Sequence, residues 1–192
     1  MGKSIYLELN GVIRDVVSKA LQVYKIENPE SELPDELESN DLVKEFNFSN
    51  KEELIDFLYV ESPMRVFGYA SEKVDGVSFM VNELYKKYRD KYTITIFSNE
   101  VEKSKPATLM FLARMGILID NIKFYPLENF TSVWDDADIV ISSNPEILNN
   151  KVKNKKSIKV IDKYNEDVTS DITIKSIKDI VENEYFEREQ FT

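Results

Sequence analysis

Glu8 and Asn10 have polar side chains that could do chemistry, and they lie at the end of an apolar run that begins at Ile5. Such a run at the start of an α/β chain is typical of a buried central strand. Gly11 then supplies a turn into the next element. Because ligands bind at the carboxyl ends of strands in open α/β sheets, we predict that Glu8 and Asn10 belong to a functional site.

The composition restricts the chemistry of that site. The 192 residues include no histidine and no cysteine. The commonest general base, the commonest metal ligand and every thiolate are therefore missing. Any reaction must use carboxylates, lysine, serine, threonine or tyrosine.

Strands and helical segments alternate along the rest of the chain. The β-branched and aromatic stretch 92–99 is the clearest strand. This alternation predicts an α/β fold, a Rossmann-like parallel sheet with helices on both faces. We predict further strands at 122–125, 137–143 and 157–162, and helices at 12–24, 39–46, 50–60, 72–90, 105–115, from 144 onward, and at 176–185.

The block 14–70 is too long for a plain connection between two strands. We interpret it as a small helical cap inserted after the first strand. Residues 1–13 and 71–192 would then form the core domain. At 192 residues the whole chain suits one such domain with its insertion.

The stretch from Ser4 to Ile13 resembles the first motif of the haloacid dehalogenase-like (HAD-like) phosphohydrolases, an apolar strand followed by Asp-x-Asp-Gly-Val-Ile/Leu. Glu8 stands where that family has its nucleophilic Asp. Asn10 stands where the family has its general acid–base Asp. The resemblance implies a HAD-like fold with a cap, and both catalytic acids of the first motif are changed.

Later strand ends extend the resemblance. Ser98, followed by Asn99, resembles the Ser or Thr position that hydrogen-bonds the phosphoryl group, although a serine can also cap a strand-to-helix turn without any ligand. Ser142 and Ser143 stand where the family has the acid pair that holds magnesium. The segment 161–165 resembles a segment of the 5′(3′)-deoxyribonucleotidase branch.

Two features of the family have no clear match. The motif lysine could be Lys103, Lys105 or Lys123, and none of them is at a convincing position. Asp135 or Asp136 would be metal ligands only if the register were different, and we predict that they lie in an exposed turn with Trp134.

These replacements predict a large loss of activity. The extra methylene of Glu8 moves its carboxylate by roughly 1 Å, which can cost about 10²-fold in rate. Asn10 can neither donate nor accept the catalytic proton, which forfeits another 10²- to 10⁴-fold, roughly. With Ser142 and Ser143 neutral, we expect no metal cofactor, and magnesium only if residual phosphatase activity exists.

The net charge of −10 argues against nucleic-acid binding and against an anionic membrane surface. The sequence shows neither a signal peptide nor a membrane span, so we expect a cytoplasmic location or a place inside an assembled particle. We expect a protein partner or a homo-oligomer, and the pocket could also take a small phosphate-bearing molecule.

The sequence therefore predicts a catalytically degenerate HAD-like protein, a pseudophosphatase rather than an active enzyme. It would act as a structural or protein-binding component of a larger assembly, for example a virus particle. Two alternatives stay open. One is a magnesium-dependent 5′-nucleotidase-like phosphatase with Glu8 as nucleophile, and the other is a phosphate or nucleotide sensor without turnover.

Overall fold

The structure is a computed structural model. The residues it describes are 2–31, 33, 37, 39, 41–100, 103–119 and 121–187. Parts of the expected cap 14–70, the expected helix 39–46 among them, lie outside the described residues, as does the chain after residue 187.

Six parallel strands form the central sheet, in the order β5-β4-β1-β6-β7-β8. Every pairing in this sheet is parallel, which confirms the predicted α/β fold class. The strands are β1 (Ser4–Glu8), β4 (Thr93–Asn99), β5 (Asn121–Tyr125), β6 (Ile139–Ser142), β7 (Lys156–Val160) and β8 (Ile172–Ile174).

The first strand lies at the centre of the candidate site because β4 and β6 pair with its two sides. Glu8 is opposite Phe97 of β4 in the register. Leu7 is opposite Ile141 of β6. The residues at the carboxyl end of each strand, Ser98 among them, therefore converge at one edge of the sheet.

Helices connect the strands. They are α1 (Val16–Glu27), α2 (Leu42–Glu45), α3 (Lys51–Ile55), α4 (Val77–Tyr88), α5 (Lys105–Arg114), α6 (Val133–Asp136), α7 (Pro145–Asn149) and α8 (Ile177–Glu182). Most begin or end a few residues away from the predicted bounds. Within the described part of the chain, no helix combines the length and apolar character needed to cross a membrane.

The predicted helix 12–24 is wrong at its beginning. Residues Arg14–Asp15 form a short strand, β2, which pairs antiparallel with β3 (Ser71–Glu72). Helix α1 begins only after Asp15, whose carboxylate accepts a hydrogen bond from the Ser18 amide at 3.3 Å. Pairing with β3 holds residues 14 and 15 in a strand, and the N-cap at Asp15 then fixes the first turn of the helix, although the apolar periodicity continues upstream.

The predicted helix 50–60 is α-helical only over α3. It continues as a π-helical segment, Asp56–Glu61, and a second π-helical segment follows at Met64–Gly68. The i→i+5 bonding of a π-helix widens the turn, and such turns often occur beside functional sites.

Successive side chains of a strand point to opposite faces of the sheet, and helices pack against both faces. Ile5 and Leu7 of β1 join an apolar cluster that includes Val81 of α4 and Ile180 of α8. Tyr6, which points to the other face, joins a cluster with Trp134, Val133 and Ile147 from α6 and α7. Because successive strand residues point to opposite faces, these two clusters are two separate layers.

The segment 14–70 builds an apolar cluster of its own. Its centre is aromatic: the Tyr24 ring lies 5.1 Å from Phe46, 5.3 Å from Phe48 and 5.5 Å from Phe57, between ring centroids. Ala107 of α5 is the buried residue of this cluster that comes from outside the segment. The division into a core of 1–13 and 71–192 and a cap of 14–70 stays a prediction.

The predicted exposed turn at 134–136 is a short helix, in which Asp135 and Asp136 are exposed as predicted but Trp134 is buried. Trp134 is 1 % exposed and lies in α6, where its indole Nε1 donates a 2.8 Å hydrogen bond to the Ile147 carbonyl. Asp136 is exposed and accepts hydrogen bonds from Lys123 and Tyr125. These contacts lie at the amino end of β6, away from the edge where Glu8 lies.

Candidate functional site

A cavity of about 690 Å³ lies between the carboxyl edge of the sheet and the segment 14–70. Much of its polar lining comes from the carboxyl ends of strands and includes Glu8, Asn10, Asn99, Ser143 and Asn144. Its apolar lining comes from the segment 14–70. The cavity therefore lies where parallel α/β sheets bind their ligands.

Glu8 is a nearly buried carboxylate at the end of β1, with 3 % of its surface exposed. Its Oε2 accepts a hydrogen bond from the Ser142 hydroxyl and another from the Ser143 amide, the latter at 3.1 Å. Burial raises the pKa of Glu8 from 4.5 to about 7, and these hydrogen bonds oppose the rise only in part. Glu8 therefore titrates closer to neutral pH than an exposed carboxyl group does.

Gly11 allows the loop after β1 to pass close to the end of β6. Its φ is +82°, a left-handed conformation that favours glycine. A Cβ atom on Gly11 would lie 2.4 Å from the Ser143 Oγ. The backbone conformation therefore favours glycine here, and a Cβ atom would in addition force the Ser143 hydroxyl to move.

Asn10 is engaged by Arg14. The guanidinium donates from Nε at 2.9 Å and from Nη2 at 2.7 Å to the same atom, Asn10 Oδ1. The Asn10 Nδ2 donates in turn to Ser98 Oγ at 3.2 Å and to Asn99 Oδ1 at 3.3 Å. The Asn10 amide is thereby held on both sides by protein atoms.

Arg14 forms a fully buried ion pair with Glu100, with 2.9 Å between Nη2 and Oε1. Glu100 also accepts hydrogen bonds from the hydroxyls of Ser98, Ser104 and Thr108. Burial lowers the pKa of Arg14, and the charge of Glu100 opposes that effect. Arginine keeps its proton in proteins, so the pair remains ionic.

This buried network explains where the predicted phosphate ligands lie. Ser98 is fully buried, donates its hydroxyl proton to Glu100 at 2.9 Å and does not line the cavity, whereas Asn99 does. Sequence reasoning missed Arg14 and Glu100. Arg14, together with Asp15, interrupts the apolar stretch 12–17, and that signal could have indicated a buried partner.

The lysines that line the cavity are Lys73 and Lys163. Lys73 pairs with Asp162 at 2.9 Å. Of the predicted candidates for the motif lysine, Lys123 bonds to Asp136, and the Lys105 amine lies 5.6 Å from the centre of the Phe124 ring. The third candidate, Lys103, is exposed and does not line the cavity.

The loop 162–165 closes one side of the cavity. Asn165, 1 % exposed, anchors it by donating from Nδ2 to the carbonyls of Ser143 and Val160, both at 2.8 Å. Its Oδ1 accepts from the Asp162 amide at 3.0 Å. The neighbouring Lys163 and Tyr164 donate to the carbonyl of Leu37 in the segment 14–70.

The side chains at the edge of the sheet do not fit magnesium. This ion prefers octahedral oxygen ligands that include carboxylates. Asn10 Oδ1 already accepts two hydrogen bonds from a cation, and Ser142 and Ser143 are neutral. Within the described part of the chain, no group of three or more Asp or Glu residues is arranged to hold a metal ion. The donor set at Glu8 therefore differs from one built for a divalent cation.

Solved structures share the architecture of this chain. A dehalogenase captured with an intermediate matches with a TM-score of 0.58 and 12% identity, over 93% of this chain and 95% of that one. A HAD hydrolase of family IA from Entamoeba histolytica matches with a TM-score of 0.58 and 14% identity, over 94% of this chain and 100% of that one. A β-phosphoglucomutase from Clostridium difficile matches with a TM-score of 0.52 and 15% identity, over 98% of this chain and 100% of that one.

These similarities assign the fold. The chain has the haloacid dehalogenase-like fold that the first strand implied. No protein-family model and no curated protein matches the sequence. The particular resemblance to the deoxyribonucleotidase branch, and the roles of Glu8, Asn10, Ser98 and Asn99, stay predictions.

Proposed function

We propose that this chain is a catalytically degenerate HAD-like protein that binds through its cavity and does not hydrolyse phosphate esters. The observation that carries the proposal is the engagement of Asn10 and Ser98 by the buried Arg14–Glu100 pair. Side chains that would contact a phosphoryl group are saturated by protein partners. Its role would then be that of a binding or structural component.

The chemistry of Glu8 supports the same proposal. An aspartyl-phosphate mechanism needs an ionised carboxylate in line with phosphorus and a neighbouring acid–base group. Glu8 titrates closer to neutral pH than an exposed carboxyl group does, and the neighbouring amide of Asn10 cannot transfer a proton. Each deficiency lowers the rate of phosphoryl transfer.

A hydrolysis assay tests this proposal. The purified protein is incubated with deoxynucleoside monophosphates and with an aryl phosphate in the presence of magnesium, beside a Glu8→Ala variant. We expect the same background release of phosphate from both proteins. Turnover by the natural protein that disappears in Glu8→Ala would contradict the proposal.

A Glu8-dependent phosphatase is the second candidate function. It is favoured by one observation: the Glu8 carboxylate lines the cavity. If Glu8 were a nucleophile, the rate should rise as pH increases through about 7, where Glu8 ionises. A rate that is independent of pH in this range would exclude Glu8 as the nucleophile.

A further inference from the structure

Several hydrogen-bond donors beside Glu8 are already used within the protein. The Asn10 amide donates to Ser98 and Asn99, and the Ser142 hydroxyl donates to Glu8. The Ser143 amide also donates to Glu8. An anion such as a phosphate needs donors of this kind, and here they point to protein acceptors instead.

Glu8, in contrast, is a hydrogen-bond acceptor in this cavity. The hydrogen bonds from Ser142 and Ser143 both end on Oε2 of Glu8, and the Asn144 amide also stabilises this carboxylate. Neither of the two bonds to Oε2 uses Oε1, the oxygen on which we place a ligand. Glu8 is 3 % exposed and lines the cavity. A nearly buried carboxylate is strongly stabilised by a cationic donor, because burial weakens the competition from water.

The part of the cavity lining that comes from the segment 14–70 is largely apolar. Val17 and Leu21 of α1, Leu42 of α2 and Leu58 of the first π-helical segment line the cavity on this side. Leu21 and Leu58 are 5 % and 6 % exposed, so the packing of the segment 14–70 fixes them. This wall suits a hydrocarbon body rather than a second charged group.

The other charged groups of the cavity do not favour an anion. They are Asp15, Lys73, Asp162 and Lys163. Lys73 is neutralised by Asp162 at 2.9 Å, and Lys163 donates to the Leu37 carbonyl at 2.6 Å. With Glu8 ionised, the acidic side chains of the lining outnumber the basic ones.

We infer that the cavity binds a primary ammonium group on an apolar body, with the ammonium on Glu8 Oε1 and the body against the wall from the segment 14–70. The inference deepens the proposed function and rests on it, because it assigns the ligand class of the same cavity. It also explains why the cavity combines one buried acid, Glu8, with amide groups that already donate to protein atoms and with an aliphatic wall.

Three probes of equal chain length test the inference: n-hexylammonium, 1-hexanol and monohexyl phosphate. Binding is measured by calorimetry at pH 8.5, where Glu8 is ionised and an alkylammonium, like lysine with its pKa of about 10.4, keeps its proton. We expect n-hexylammonium to bind at least about 30-fold more tightly than 1-hexanol, because a buried charge pair adds that much affinity or more.

Two variants locate the binding. Glu8→Gln keeps the shape and should lower the affinity for n-hexylammonium by about 30-fold or more. Asp135→Asn removes an exposed acid at the amino end of β6 and should leave the affinity unchanged. Equal affinity for the ammonium and the alcohol overturns the inference even if Glu8→Gln does not fold.

The phosphate probe separates this inference from the proposed function. Tight binding of monohexyl phosphate without release of inorganic phosphate overturns the ammonium ligand and leaves the proposed function standing. Release of inorganic phosphate that depends on Glu8 overturns both. Absence of binding by all three probes overturns the ammonium ligand alone.

Discussion

Arg14 places two of its hydrogen bonds on a single atom, Asn10 Oδ1, at 2.9 and 2.7 Å. The Arg14 guanidinium thus faces an amide oxygen at the position where the HAD-like resemblance implies an acid–base carboxylate. The Arg14 side chain is fully buried, and its guanidinium lies 4.8 Å from the centre of the Phe67 ring. These contacts fix the orientation of the Asn10 side chain at the edge of the cavity.

The Arg14–Glu100 pair should be essential for stability. Arg14→Met leaves Glu100 as an uncompensated buried charge, so we expect a loss of about 3–5 kcal/mol in the free energy of unfolding. The double variant Arg14→Met/Glu100→Leu should lose less than the sum of the two single variants. Urea denaturation measures each value.

The exposed pair Lys86–Glu83, with 59 % and 37 % of the side chains exposed, is the matched control. Lys86→Ala should cost no more than about 0.5 kcal/mol. Equal losses at Arg14 and Lys86 would show that the buried pair contributes no more than a surface one.

Ionisation of Glu8 should make the protein less stable. Its pKa is raised by burial to about 7, so between pH 5 and pH 7 the folded state binds more protons than the unfolded state. The free energy of unfolding therefore falls through this window, by about 2–3 kcal/mol, and Glu8 adds no further change above it. Glu8→Gln removes this contribution.

We expect Glu8→Gln to gain stability relative to the natural protein when the pH is raised from 5 to 8. Urea denaturation of both proteins at the two pH values gives the difference. Asp135→Asn controls for the removal of a carboxylate elsewhere. If the difference in the free energy of unfolding between Glu8→Gln and the natural protein is the same at both pH values, the raised pKa of Glu8 is contradicted.

Gly11→Ala should destabilise the protein through both conformation and contact. The left-handed φ costs about 1–2 kcal/mol for a residue with a Cβ, and the close approach of Ser143 Oγ adds about 1–3 kcal/mol. Gly116 is the natural comparison, because its φ is +64° and a Cβ atom added there would meet no atom within 4 Å.

Gly116→Ala should therefore show the conformational cost alone, and thermal or urea denaturation compares the two variants. Adding Ser143→Ala to Gly11→Ala should recover part of the larger loss. If Gly11→Ala and Gly116→Ala lose the same stability, the contact with Ser143 has no effect.

Asn165 should hold the loop 162–165 in place. Asn165→Ala removes three buried hydrogen bonds, for which we expect a loss of about 2–4 kcal/mol. Asn165→Asp should be at least as damaging, because a carboxylate would face the carbonyls of Ser143 and Val160. Denaturation measures stability, and limited proteolysis tests whether the loop opens. An Asn165→Asp variant as stable as the natural protein would contradict the assignment of Nδ2 as the donor to the two carbonyls.

Much of the fold could be predicted from local patterns. The apolar runs around Ile5 and Ile94 and the alternation of strands with helices were enough for a parallel sheet. Because parallel strands end at one edge, the same reasoning brought Glu8, Asn10 and Asn99 together. The cavity lining contains all three.

The failures of prediction occur where distant residues overrule local preference. Apolar periodicity suggested a helix from residue 12, but Arg14 pairs in a strand with Glu72 instead. The polar residues around Trp134 suggested an exposed turn, but its ring packs in the interior. Neither contact has a signature within a short window of sequence.

The sequence by itself determined the order of the elements, the edge of the sheet where polar side chains gather, and the absence of histidine and cysteine from any chemistry there. Only the tertiary structure decided that Asn10 and Ser98 are engaged internally, because the ion pair responsible joins residues 86 positions apart. Side-chain types and strand periods are local properties. A buried charge, however, is tolerated only where folding brings its partner close, and the position of that partner depends on the fold of the whole chain.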